Sequence, residues 1–162
     1  MLKISESARI SRFADIEDST RGTLIEIGAN VVIDSFVKIK PAGGNGDVFV
    51  GEGSIINSGC VFYTGNGIKI GKNVAVAANC TFAPVNHAYK DKGVLITNQG
   101  FLNSKGGIIV DDDVWIGANC VLLDGAHIRK GCVIAAGSVV RGLTEEYGVY
   151  AGSPLNKVGE RT

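Results

Sequence analysis

The sequence predicts an all-β solenoid, a parallel β-helix of about five triangular coils with one long inserted loop, and three regularities predict it. Large apolar residues stand six apart in five groups of three: Ile27, Ile33 and Ile39; Val50, Ile56 and Phe62; Ile70, Val76 and Phe82; Val110, Ile116 and Leu122; Ile128, Ile134 and Val140. A helix repeats near ~3.6 and a half-buried strand near ~2, so neither template explains this step. The position three residues further on holds Asn30, Gly53, Gly59, Gly65, Asn73, Asn79, Asp113, Asn119, Gly125, Gly131 and Gly137, with Phe36 and Val85 as exceptions. Gly, Asn and Asp tolerate positive φ, so the column reads as a repeated corner. The next position is mostly small: Val31, Val37, Ser54, Cys60, Val74, Cys80, Val114, Cys120, Ala126, Cys132 and Ser138. Such residues fit inside a turn beside the large aliphatics, and three of these units close one coil.

The spacing of coil starts locates each element. From Ile27 to Val50 is 23 residues, to Ile70 a further 20, to Val110 a further 40 and to Ile128 a further 18. An uninterrupted coil advances by eighteen, so there are extra residues around 43–47, near 67–69, and, most of all, after His87. A loop over residues 88–109 therefore leaves an otherwise tight stack, and long excursions from a compact scaffold commonly carry function. Residues 1–24 look irregular and are expected to form a lead-in arm over the first coil's open end. The coils and their loop occupy 25–142. The tail, 143–162, breaks the period and is expected to pack back along the coils, giving one domain in all.

Composition narrows the function. Sixteen Lys and Arg balance sixteen Asp and Glu, so there is no basic excess to grip nucleic acid or a membrane. No apolar run reaches membrane-spanning length, and residues 1–12 lack the apolar centre of a signal peptide, which points to a cytoplasmic protein. All four cysteines fall in the small inward column and read as free thiols used as small apolar residues. The Asn79-Cys80-Thr81 sequon lies at a predicted corner and carries little weight as a glycosylation site. A mean hydropathy of +0.20 fits either a surface facing a partner subunit or simply the many inward aliphatics.

Of two histidines, His87 stands where the long loop departs, in Ala83-Pro84-Val85-Asn86-His87-Ala88-Tyr89. A neutral imidazole there can take a proton from a hydroxyl or amine near neutral pH, as acyl transfer to such an acceptor requires. The plain alternative is a solvated loop histidine. His127 occupies the matching position counted from Leu122, so the two rings could stack at one edge if the loop leaves the register intact, while the plainer expectation is a surface His127 on a corner. Trp115 is expected to point outward from a corner, towards an interface, a ligand or the packed tail.

Three motifs resemble the hexapeptide-repeat acyltransferases, whose members form left-handed parallel β-helices. Pro84-Val85-Asn86-His87 with its loop is similar to the loop of the galactoside and maltose acetyltransferases. Asp111-Asp112-Asp113-Val114-Trp115-Ile116-Gly117-Ala118-Asn119 with Leu123-Asp124-Gly125 resembles the family's Trp-Ile-Gly coil. Ala136-Gly137-Ser138-Val139-Val140, followed by Ala151-Gly152-Ser153-Pro154, resembles its closing CoA-binding segment. The resemblance covers most of residues 25–158. It implies an acetyl-CoA-dependent O- or N-acetyltransferase that uses no metal, with His87 as general base and no covalent enzyme intermediate. It also implies a homotrimer with active sites between subunits, and pantetheine lying along the coils beside the backbone of Ala118, Ala136 and Gly137. Trp115 is included among the residues facing CoA, and an N–H near Ala118 would hold the oxyanion. Arg141, Lys157 or Arg161 would meet CoA phosphates.

Acceptor residues are less regular. Asn57 matches an asparagine that contacts sugar in the galactoside enzymes, and Asn86 and Tyr89 flank His87, but the carboxylate expected eight residues after Asn57 is Gly65. Selectivity is therefore assigned to Gly65, the loop from His87 to Gly107 and the arm from Ser5 to Arg21. The chain resembles the short sugar O-acetyltransferases of surface-polysaccharide synthesis and the N-acetyltransferases of amino-sugar nucleotides. Two other classes compete: a non-catalytic solenoid acting as an interaction module, and a metalloenzyme like the gamma-type carbonic anhydrases. The latter needs three histidines where this chain has two.

Overall fold

A computed structural model describes residues 1–162. Its strands are short and come in threes. The first coil holds β1 (Leu2–Ile4), β2 (Arg9–Ile10) and β3 (Asp15–Ile16), and the second β4 (Ile25–Ile27), β5 (Val32–Ile33) and β6 (Lys38–Lys40). Then come β7 (Val48–Val50), β8 (Ile55–Ile56) and β9 (Val61–Tyr63), followed by β10 (Ile68–Ile70), β11 (Ala75–Val76) and β12 (Thr81–Ala83). The last two coils are β13 (Ile108–Val110), β14 (Trp115–Ile116) and β15 (Val121–Leu123), then β16 (His127–Ile128), β17 (Val133–Ile134) and β18 (Val139–Val140). Like strands of successive coils pair in parallel and form the three walls of a left-handed prism. The first wall runs β1-β4-β7-β10-β13-β16, the second starts β2-β5-β8-β11-β14-β17, and the third is β3-β6-β9-β12-β15-β18. No helix is long and apolar enough to cross a membrane.

The core follows from the period of six. All the large apolar positions, from Ile27 to Val140, are buried, and so is every residue of the small column from Val31 to Ser138. Every Gly, Asn and Asp named for the corner column has positive φ, which lets the chain turn without a Cβ clash. Phe36 turns with φ 63 as well, although an aromatic residue disfavours that geometry. Its ring stacks on Phe13 at 5.8 Å, and its N–H donates to the Phe13 carbonyl, so contacts in the coil above offset the strain.

Side chains in the small column also close hydrogen bonds between coils. The thiols of Cys60, Cys80 and Cys120 donate to the carbonyls of Ala77, Gly117 and Ala135 at 3.1, 3.2 and 3.2 Å. All four cysteines are free and buried. The Cys120 thiol favours a thiolate on Cys80, but Cys60 and burial outweigh it, and the Cys80 thiol is pushed up to about 11. Burial of all four sulfurs in the core makes them packing groups and keeps them from acting as nucleophiles.

Residues 1–24 depart from the expectation of an irregular arm, because they form a sixth coil. Arg9 pairs with Val32 and Asp15 with Lys38, so the period of six reaches back through Ile16, Ile10 and Ile4. The long loop closes at Gly107, since β13 already begins at Ile108, and carries one 3-10 turn, Ile96–Asn98. The tail adds β19 (Gly148–Ala151), which extends the second wall in parallel with β17, and β20 (Asn156–Glu160), which folds back antiparallel on β19. Trp115 lies on β14 between Ala75 and Val133, on a strand rather than at a corner, with its ring half exposed.

Candidate functional site

β12 ends at Ala83, and the chain then leaves the prism at the edge between the third and first walls. Two backbone bonds pin the stem of the loop: Ala88 N–H donates to Gly100 O at 3.0 Å and Leu102 N–H to Asn86 O at 2.7 Å. His87 and Phe101 face each other in this antiparallel bridge, with ring centroids 4.6 Å apart and planes at 48°. The clamp fixes where the imidazole starts while leaving it exposed to solvent. Further out, Asp91 and Gln99 bind the loop to itself: the Gln99 amide donates to the carbonyls of Asp91 and Val94, and Asp91 accepts from Gly93 N–H.

The returning strand of the loop is held by Asp124, which is only 5% exposed. Its carboxylate accepts from Lys105 N–H at 2.8 Å, from Gly107 N–H at 2.9 Å and from the Asn66 amide at 3.2 Å. One buried acid therefore ties three successive layers of this edge together. Beside it lies a groove of about 320 Å³ lined by Asn86, Lys105, Asp124 and Arg141. Sequence reasoning singled out Asn86 and Arg141 but missed Lys105 and Asn66, and quoted Asp124 only as part of a motif. The signal available was Asp124 itself, a carboxylate in an inward position just before a corner glycine.

Three cations were expected to compete for phosphate. The Lys157 ammonium is held by Glu145 at 2.6 Å and also by Glu160, which together push its pKa up. Arg161 pairs with Asp113 at 2.9 Å and donates to the Gly131 carbonyl. Both serve to fasten the tail, so neither is a free cation. Arg141 has no acidic partner, is exposed, and also lines a second groove of about 410 Å³ with Val139, Ser153, Pro154 and Leu155. The structure thus joins the loop stem to the closing segment through Arg141.

Other expected residues lie elsewhere. Ala118, Ala136 and Gly137 form the edge between the second and third walls, where Gly137 N–H donates to Ala118 O and the N–H groups of Ala118 and Ala136 have no partner within the chain. Asn57 stands near the same edge, with its amide donating to Val76 O at 2.8 Å. Tyr89 is 63% exposed on the outer part of the loop. A single chain therefore holds the expected residues on two separate edges. At Gly65, where the carboxylate was expected, a Cβ would come within 2.6 Å of Val85 and 3.0 Å of Pro84, so the loop stem itself occupies that space.

His127 does not stack on His87. The loop replaces the register position His87 would have filled, and Ile109 takes it, pairing with His127 on one side while Leu143 pairs on the other. The His127 Nε2 lies 3.0 Å from Asp111 Oδ1, and Arg129 joins Asp111 to Glu146. Nowhere are three or more His, Cys, Asp or Glu side chains grouped as metal donors.

Residues 107–142 match the model of the bacterial transferase hexapeptide family, described as six repeats. A probable acetyltransferase of Mycobacterium tuberculosis is 32% identical over 141 residues, which is 85% of this chain and 44% of that protein. The chain thus carries that family's hexapeptide repeat over residues 107–142. It spans less than half the length of that curated relative. A maltose O-acetyltransferase from Clostridium difficile superposes with a TM-score of 0.73 at 26% identity, over 87% of this chain and 70% of the other. A variant of AntD, an N-acyltransferase from Bacillus cereus, in complex with dTDP-4-amino-4,6-dideoxyglucose and coenzyme A, superposes at 0.83 with 22% identity over 99% and 84%. That last likeness shows the shared fold. In this hexapeptide-repeat protein the matched segment holds Asp124, Arg141 and the unpaired N–H groups of Ala118 and Ala136.

Proposed function

We propose that this chain transfers the acetyl group of acetyl-CoA to a hydroxyl or amine of a sugar or sugar nucleotide, with His87 as general base. The observation that carries the reading is the loop stem. It holds an exposed imidazole beside a groove whose two unpaired cations, Lys105 and Arg141, can meet phosphate. The proton leaves the acceptor O–H or N–H for the imidazole as the acceptor's lone pair attacks the thioester carbonyl. The C–S bond then breaks, and the proton passes to the departing thiolate. The unpaired N–H of Ala118 is suited to the oxyanion and that of Ala136 to the pantetheine amides.

Division of these residues between two edges supports a homotrimer in which one subunit's His87 edge faces another's Ala118 edge. Names of similar proteins support the acceptor class: one acts on maltose, and another binds an amino-sugar nucleotide. A cytoplasmic role in surface-polysaccharide synthesis is the setting that such acceptors favour.

The test is thiol release from acetyl-CoA with a panel of hydroxy and amino sugars and their nucleotides. His87→Ala is expected to lower kcat by about 10²–10⁴ with acetyl-CoA binding unchanged. Unchanged turnover in that variant would remove His87 as the base. No turnover with any member of the panel, with acetyl-CoA binding also absent, would favour a non-catalytic module.

A further inference from the structure

A general base needs its ring held as well as its backbone, and no polar group of this chain holds the ring of His87. The His127 Nε2 lies 3.0 Å from Asp111, whereas neither nitrogen of the His87 imidazole has a hydrogen-bond or ion-pair partner within the chain. A histidine side chain left to itself samples about three χ1 wells and about two orientations of the ring. Spread over roughly six states, an imidazole is in place for proton transfer only part of the time. The aromatic ring that stands against it is Phe101.

The backbone imposes that contact. Ala88 N–H donates to Gly100 O and Leu102 N–H to Asn86 O, so His87 and Phe101 form the non-hydrogen-bonded pair between two rungs of an antiparallel ribbon. In such a pair the Cα atoms lie about 4.5 Å apart and both side chains leave the same face, closer together than in a hydrogen-bonded pair. The ring centroids accordingly lie 4.6 Å apart with planes tilted by 48°. Phe101 is itself fixed on both sides. Before it, Gly100 turns with φ 75, and the Gln99 amide ties the outer loop to the Asp91 and Val94 carbonyls. After it, Asp124 holds the strand through Lys105 N–H and Gly107 N–H. Phe101 belongs neither to the core nor to the apolar residues packed on it and is 49% exposed, so burial does not account for an aromatic ring here.

We infer that Phe101 is a positioning residue for acetyl transfer: its ring selects the imidazole orientation from which His87 takes the acceptor's proton. The inference rests on the acyltransferase reading above. Phe101 supplies no proton and no charge, so its effect passes entirely through His87. Losing the ring returns the imidazole to its roughly six states, which lowers the productive fraction, and with it kcat, about five- to tenfold. A tyrosine presents the same flat face to the imidazole. Leucine fills much of the volume without presenting one, so ring shape and bulk can be told apart.

Steady-state kinetics of Phe101→Ala, Phe101→Leu and Phe101→Tyr, each in the wild-type and the His87→Ala background, test this with the full chain, acetyl-CoA and whichever sugar of the panel turns over fastest. Thermal melts verify that the variants fold, and the Leu and Tyr variants decide the matter if Phe101→Ala does not. Phe101→Ala and Phe101→Leu should lower kcat about five- to tenfold with the KM for acetyl-CoA unmoved, Phe101→Tyr should restore most of the loss, and none should lower the residual rate of His87→Ala further. With only two histidines in the chain, the His87 ring protons are assigned by their disappearance in His87→Ala. They should show a nuclear Overhauser contact to the Phe101 ring and a ring-current shift that Phe101→Leu abolishes. An unchanged kcat in Phe101→Ala, an equal loss in both backgrounds, or a rise in acceptor KM alone overturns the inference and leaves the acyltransferase reading standing. No Overhauser contact in the wild type overturns it as well. Absence of turnover by the wild type with every sugar of the panel overturns both together.

Discussion

Replacing Asp124 should release the loop from the coils without unfolding the prism. Its carboxylate accepts three hydrogen bonds, at 2.8, 2.9 and 3.2 Å, and the side chain is buried. Bonds to a charged group are worth about 1.5–3 kcal/mol each, but they are not additive when donors regain water. Lys105 is exposed and recovers most of its loss, whereas Gly107 N–H is buried and does not. Asp124→Ala should therefore cost about 2–4 kcal/mol. In Asp124→Asn one of the three donors faces an amide N–H₂ instead of an oxygen, so that variant should cost about half as much. Denaturant melts give the magnitude, and amide exchange at Lys105 and Gly107 with limited proteolysis over residues 88–107 gives the place. If Asp124→Ala melts like wild type and keeps those two amides protected, the proposed tether is wrong.

Two further outcomes follow from the packing and the charges. Phe62 and Phe82 stack in the core at 4.2 Å with planes 8° apart, so Phe82→Ala should lose about 3–5 kcal/mol in a urea titration. In the first two coils, Lys38 and Lys40 hold the Glu17 carboxyl below its ordinary value of 4.5. A carboxyl that is more acidic when folded stabilises fully above that ordinary value and loses the contribution as pH falls through the lower folded one. The protection factor of the Glu17 amide, which donates to Ile39 O, should therefore fall below about pH 4.5, and less so when Lys38 and Lys40 are both replaced by Met. An identical pH profile in that double variant would refute the coupling.

The sequence carried most of the coil register, because a period of six leaves both the large and the small columns no other place to go. It did not reveal the first coil. Ile4, Ile10 and Ile16 keep the step, but the positions three beyond the first two are Ser7 and Phe13, not the Gly, Asn or Asp that mark a corner. Five extra residues before Ile27 hide the remaining spacing. The long loop and its histidine were legible because an insertion breaks an otherwise strict count. What spacing could not show is which charges are already paired. Lys157 and Arg161 look as available as Arg141 in sequence, yet both are taken by carboxylates brought near only by folding. Nor could it show that the loop displaces His87 from the column of His127, since that depends on which residue resumes the wall.

Calorimetric titration of acetyl-CoA into the wild-type chain, with Arg141→Ala alongside, tests the central claim most directly. One site per chain with a Kd between about 1 μM and 1 mM, weakened in the variant, is the predicted result. A folded protein that gives no heat with acetyl-CoA would contradict it.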